Sequence, residues 1–215
     1  MCDRVSPRMV NCLSTVIGIC DRNICAFAAD TRKVEFNEDG SIYPVREDEE
    51  KIFSINGRLL LGGAGAFWKN ETVMTPLLEC NDIDVLNTDD AVQVIEEYLK
   101  KMIDDGRLRY MFRTYLIGGF DKNGDRSLYR VCYLPEKGYL GVDGCSFPKN
   151  MNGTIVIPML PPNVQRQEEF YKAEIVKCLN GVSTVRELAE RLHPIICDIA
   201  DKDNSVNKTL RMLHV

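Results

Sequence analysis

The stretch Ser14-Thr15-Val16-Ile17-Gly18-Ile19, continued by Ile24-Cys25-Ala26-Phe27-Ala28-Ala29-Asp30-Thr31-Arg32, decides how the rest of the chain is read. The first run is apolar and β-branched, which favours a strand over a short buried helix. Asp21-Arg22-Asn23 is a turn cluster, and the second run is apolar until it ends on an acid and a base. That pattern predicts a β-hairpin over about 14–20 and 24–30. Antiparallel strands of equal length return to where they began, so Ser14 and Asp30 fall at the same end of a sheet. A hydroxyl beside a fixed carboxylate is the start of a nucleophile site.

Outward from the hairpin, residues 33–50 are polar and charged and read as an exposed loop or small hairpin, with a solvated acidic run Glu47-Asp48-Glu49-Glu50. Strands are expected at 51–55 and 58–64 around Asn56-Gly57, a strong hairpin-turn signal. A helix is expected over 67–79. A second covers 88–105, capped by Asn87 or Thr88, with Ala91, Val94, Ile95, Tyr98, Leu99 and Met102 on one face. Strands follow at 113–120 and 127–134, then a strand pair at 138–142 and 153–157. Two helices, 164–179 and 184–200, come next. The second is capped by Ser183 or Thr184, with Glu187 completing a capping box. A last strand covers 208–214. This order predicts an α+β fold, a four-layer α-β-β-α sandwich of antiparallel sheets, with helix 88–105 on one side and the two later helices on the other.

The chain has 215 residues, 45% hydrophobic and 27% charged, with a formal charge of −5. The length suits one domain with a sizeable core. The acidic balance, with no basic cluster, argues against nucleic-acid binding. No apolar run reaches the ~18 residues of a membrane helix. The N-terminus has no apolar signal-peptide core, so a cytoplasmic protein is expected. Nine cysteines occur at irregular spacing with two histidines and no C-x-x-C pair. Reduced cysteines packed as small apolar residues are expected, and no zinc site. His193 and His214 read as a helix-surface and a strand-end residue.

Four segments, in order over roughly residues 14–206, resemble the proteasome-type N-terminal-nucleophile hydrolases. The first is the hairpin ending Ala28-Ala29-Asp30-Thr31-Arg32. The second is Lys51-Ile52-Phe53 with Leu59-Leu60-Leu61-Gly62-Gly63-Ala64-Gly65. The third is Tyr115-Leu116-Ile117-Gly118-Gly119-Phe120-Asp121 with Leu128-Tyr129, and the fourth is Val182 to Ala189 with Asp201 to Ser205. The resemblance implies amide hydrolysis by a residue whose hydroxyl attacks and whose own free α-amine is the base. Its nucleophile position falls on Ser14, which also sets Gly18 on the family's glycine; Thr15 is the one-residue slip. Asp30 matches the orienting carboxylate, Arg32 the basic residue two further on, Lys51 the lysine that stabilises charge, and Gly65 the oxyanion donor. Asp203 matches a supporting acid, with Asp201 as rival and Ser205 a looser match.

Exposing the amine requires removal of residues 1–13, read as a leader before a single domain over 14–215; an intact leader blocks the base. The chain departs from the family in four ways. Ser replaces the usual Thr, and Leu13 replaces Gly. The loop between Asp30 and Lys51 is longer. Cys145 or Ser146 stands for the supporting serine. The implied function is a serine- or threonine-type peptidase or amidohydrolase acting on a peptide or small amide, without cofactor or metal. Bland readings stand beside each assignment: Ser14 as a strand start, Asp30–Lys51 as a structural ion pair, Gly65 as a packing glycine. Together they describe a non-catalytic scaffold subunit. A third route is an acylase with Cys2 exposed at the N-terminus. Tyr98, Met102, Leu108, Tyr110, Met111 and Phe112 exceed what one sheet face needs, so a homo-oligomer is expected, a two-fold dimer or a ring.

Overall fold

β1 (Val16–Asp21) and β2 (Cys25–Ala29) form the expected hairpin, with Val16 opposite Ala29, Gly18 opposite Phe27 and Cys20 opposite Cys25. The structure is a computed structural model and describes residues 14–37, 41–65, 67, 71–78, 80–108, 112–148 and 150–215. Residues 1–13, expected as a leader, lie outside the described residues, and Cys2 with them. β3 (Lys33–Phe36) and β4 (Ile42–Arg46) make a separate two-stranded ribbon, the small hairpin read in the charged segment. β5 (Ile52–Ile55) and β6 (Leu59–Gly65) meet at Asn56-Gly57, both with positive φ, as the turn requires.

β7 (Arg113–Phe120), β8 (Arg126–Leu134) and β9 (Tyr139–Phe147) complete a five-stranded sheet ordered β5-β6-β7-β8-β9. β10 (Thr154–Met159) and β11 (Arg211–His214) join the hairpin in a four-stranded sheet ordered β10-β1-β2-β11. All pairings are antiparallel.

Four helices are described: α1 (Thr75–Leu78), α2 (Thr88–Asp104), α3 (Glu168–Leu179) and α4 (Val185–Lys202). Asn87 caps α2, accepting from the Asp90 N–H, and Thr184 caps α4, accepting from the Glu187 N–H. The Glu187 carboxylate reaches back to the Ser183 N–H and hydroxyl.

The core follows the period-2 alternation of the strands. Ile17 and Ile19 face α3 and α4, with Tyr171, Ile175, Leu192 and Ile196. Val16, Cys20, Cys25 and Phe27 face the other sheet, with Leu60, Leu116 and Leu128. Gly18 allows that approach, since a Cβ there would sit 2.9 Å from a Leu128 methyl. On its other face the five-stranded sheet packs Leu61, Tyr115 and Ile117 against Ile95, Leu99 and Met102 of α2.

Three expectations are corrected. The helix over 67–79 is helical only at Thr75–Leu78 among its described residues. The Thr72 hydroxyl accepts the Met74 N–H, which forms a turn, and Pro76 has no N–H and fits only a first helical turn. The segments near 138–142 and 153–157 are not paired: β9 is an edge strand on β8, whereas β10 pairs with β1. β10 buries Ile157 and Met159 between the sheets and Val156 against the helices. That two-sided cover is not offered by the exposed edge of β9. The described part of the apolar excess around α2 belongs to the chain's own core: Met102 and Leu108 are buried, and Tyr98 packs against the same cluster. Phe112 packs between the sheets, and Tyr110 and Met111 lie outside the described residues.

The described cysteines are all free thiols; Cys20 and Cys25 are buried and the other five half-buried. No described helix is long and apolar enough to cross a membrane. No cluster of metal-ligating side chains occurs among the described residues.

Candidate active site

Asp30 ends β2, and its carboxylate is fully buried. Unpaired, a buried carboxylate is costly, so its partners matter. The Lys51 ammonium lies 2.8 Å from both oxygens, itself almost wholly buried. The Thr15 N–H donates to one oxygen at 2.8 Å and the Arg32 N–H to the other at 3.0 Å. The Asp30 N–H donates back to the Thr15 carbonyl, which closes the two ends of the hairpin. Lys51 is placed from the other sheet: it directly precedes β5, and its carbonyl accepts the Gly63 N–H of β6.

A cavity of about 890 Å³ adjoins this pair. Ser14, Arg32, Lys51 and Gly65 line it, with Phe53 and Phe67 as its aromatic wall. Ser14 is half-buried. Gly65 has φ +121°, and a Cβ there would sit 2.4 Å from the Phe112 carbonyl oxygen. Only glycine fits, so the backbone comes to the cavity bare. The Arg32 side chain faces outward from Asp30, with Nε on Glu47 at 3.0 Å and Nη1 on the Asn204 carbonyl at 2.8 Å.

The remaining candidates are placed differently. Thr15 is fully buried, does not line the cavity, and its hydroxyl has no hydrogen-bond partner among the described residues. Asp203 is buried beyond the end of α4, accepting from the Ser205 N–H and hydroxyl and, at 3.3 Å, from the Asn163 N–H. It does not line the cavity. Asp201 is exposed and paired with Lys208. Cys145 and Ser146 also lie off the cavity. Burial pushes the Cys145 thiol up, and the Ser146 hydroxyl bonds the Tyr129 phenol at 3.1 Å. His193 is exposed on α4 with its Nε2 on the Lys208 carbonyl.

One feature of the cavity wall escapes the sequence reading. Glu71 lines it and receives Arg113 at 2.8 Å, Arg107 at 2.7 Å and the Tyr98 hydroxyl at 3.0 Å. Arg113 has no exposed side-chain surface and stacks over Phe67, its guanidinium 4.7 Å from the ring centroid. The only signal was an arginine opening an otherwise apolar strand, which demands a buried acid somewhere in the chain.

No protein-family model matches the sequence, and no curated protein matches it. Solved structures do. Anbu, an ancestral beta-subunit, from Yersinia bercovieri is 16% identical with a TM-score of 0.59, over 94% of this chain and 81% of that one. Anbu from Pseudomonas aeruginosa, solved as a helical assembly, is 16% identical with a TM-score of 0.57, over 94% of this chain and 80% of that one. HslV from Trypanosoma brucei is 13% identical with a TM-score of 0.51, over 93% of this chain and 98% of that one. The chain shares the fold of these Anbu and HslV structures, as the resemblance to the proteasome-type family implied. Identities this low speak to fold alone; what the site does rests on its own geometry.

Proposed function

We propose that the chain is a hydrolase of amide bonds that uses Ser14 as an N-terminal nucleophile once residues 1–13 are removed. The observation that carries this is the Lys51 ammonium, held at 2.8 Å on buried Asp30 and facing the cavity that Ser14 and Gly65 also line. In this reading the freed Ser14 amine takes the proton of its own hydroxyl, and the oxygen attacks the substrate carbonyl. The Lys51 charge keeps the amine deprotonated and, with the Gly65 N–H, stabilises the developing oxyanion. Asp30 keeps Lys51 in place. The substrate is a peptide or small amide, and the elements form four layers, with α2 and the α3–α4 pair on the outside. The domain is 14–215, and we infer that it acts in the cytoplasm as a homo-oligomer, a reading supported by the helical assembly of the similar Anbu.

Intact mass of the natural protein tests this. Loss of residues 1–13 with Ser14 at the new N-terminus is expected, and Ser14→Ala and Lys51→Ala each prevent both the mass loss and peptide turnover. Retention of the leader with no turnover assigns the chain to the non-catalytic scaffold class, in which the Asp30–Lys51 pair is structural. Normal processing in Ser14→Ala moves the nucleophile to Thr15 or Cys2.

A further inference from the structure

Asn207 sits on the segment between α4 and β11 and is 7% exposed. Its carboxamide is spent on distant partners. The oxygen accepts the Thr31 N–H at 3.1 Å. The nitrogen donates to the Thr31 hydroxyl at 3.1 Å and to the Glu47 carboxylate at 2.8 Å. The orientation is dictated by the partners: an N–H faces the oxygen and a carboxylate faces the nitrogen, and a flipped amide would lose both. Thr31 has no polar atom left over. Its hydroxyl donates to the Glu47 carbonyl at 2.6 Å, and its own carbonyl accepts the Glu49 N–H at 2.8 Å. Thr31 lies between Asp30, which holds Lys51, and Arg32, whose N–H completes the Asp30 carboxylate. The same C-terminal segment also binds the Arg32 guanidinium through the Asn204 carbonyl.

We infer that Asn207 is a positioning residue for the site: it clamps Thr31 from across the chain and so fixes the backbone that aims Asp30 at Lys51 and at the hairpin end carrying Ser14. Three features of the turn fit this role. The amide is buried, so its bonds are made against protein and not exchanged with water. Its partners lie 160 and 176 positions away, so nothing local explains its presence. The clamped residue lies between the Asp30 carboxylate and the Arg32 N–H that bonds it. The inference deepens the hydrolase reading and rests on it only for the word site; the clamp itself is a matter of geometry.

Amide hydrogen exchange of the full chain tests the clamp, comparing Asn207→Ala with the parent. The Thr31 amide loses its acceptor directly and is uninformative. The Thr15 and Arg32 amides bond Asp30, not Asn207, and report on whether the carboxylate has moved. Their exchange is expected to rise by about tenfold or more, the effect of weakening one or two hydrogen bonds, while Leu60 and Leu116 amides in the five-stranded sheet stay at parent rates. Thr31→Val removes one part of the clamp with little change of shape and is expected to show the same pattern more weakly; it carries the test if Asn207→Ala does not fold. A uniform rise at all amides, or no change at Thr15 and Arg32, overturns the positioning role. On processed protein with a fluorogenic peptide amide, kcat falls and KM holds. Where the parent turns over, a fall in stability without that split also overturns it. Parent protein with no turnover but a localised exchange change sinks the hydrolase reading and leaves the clamp standing.

Discussion

Replacing Lys51 with methionine removes the only charged partner of the Asp30 carboxylate among the described residues and keeps most of the volume. Asp30 has no exposed surface, and the ammonium reaches both of its oxygens at 2.8 Å. Breaking a buried pair from one side typically costs about 3–5 kcal/mol, because a charge is left without compensation. The Thr15 and Arg32 N–H bonds remain, so the lower end applies, about 3 kcal/mol. For a chain of this size that is a fall in Tm of about 6–12 °C. Asp30→Asn with Lys51→Met removes both charges, and about half of the loss should return. Full recovery is not expected, because an amide nitrogen would face the N–H of Thr15 or Arg32. Urea unfolding followed by circular dichroism reads all three proteins. A single variant within about 1 kcal/mol of the parent would refute the buried geometry, since exposed pairs are worth that little. Turnover separates structure from chemistry: the double variant regains stability and stays inactive if Lys51 acts on the reacting groups.

The other outcomes follow from single features. Gly65→Ala forces a Cβ against the Phe112 carbonyl at φ +121° and should cost about 1–3 kcal/mol, read as a lower urea midpoint; an unchanged midpoint contradicts the strained conformation. The Asn207 amide, with Arg32 adding to it, holds the Glu47 carboxyl below its usual value of 4.5. A depressed carboxyl stabilises the fold above its unfolded pKa and is lost as pH falls through the folded one. Acidification below pH 4.5 should therefore loosen the Thr31 turn, and Glu47→Gln should flatten that response in exchange at Thr31. Light scattering at micromolar concentration should give a multiple of the 24.4 kDa chain; a single-chain mass that survives concentration removes the oligomer.

The parts of this fold that were legible were those specified locally. The β1–β2 hairpin is written in β-branched residues and a turn cluster, and the β5–β6 hairpin in Asn56-Gly57, so both appear where expected. The caps at Asn87 and Thr184 follow from side chains within three residues of the groups they satisfy. Partner choice over long range was not legible. The apolar run of β10 is compatible with β9 or β1, and only burial on both faces selects β1. The aromatic and aliphatic excess after α2 looked like a surface because sequence alone does not show how much core the five-stranded sheet demands. Asp30 and Lys51 were singled out by the family resemblance, and the structure pairs them. Asn207 and the Glu71–Arg113 pair were not, because each is defined by partners far along the chain.

The position of Asp30 also distinguishes between the two hydroxyl residues at the start of β1. The Thr15 nitrogen lies 2.8 Å from an Asp30 oxygen. Were the chain cut before Thr15, its new amine would sit against that carboxylate. An opposite charge at that distance favours the ammonium, which cannot take a proton from a hydroxyl. The Thr15 hydroxyl is itself sealed from the cavity. One residue earlier both objections fall away. Ser14 lines the cavity, and the bond from the Thr15 N–H to Asp30 becomes the anchor that holds the new terminus in place. The carboxylate then serves two neighbours with different needs, an ammonium that must stay charged and an adjacent amide that must stay fixed. N-terminal sequencing of processed protein is therefore expected to begin Ser14-Thr15-Val16. A start at Thr15 with full turnover would show that an amine held against the Asp30 carboxylate still serves as the base, and the assignment of the nucleophile to Ser14 would fall with it.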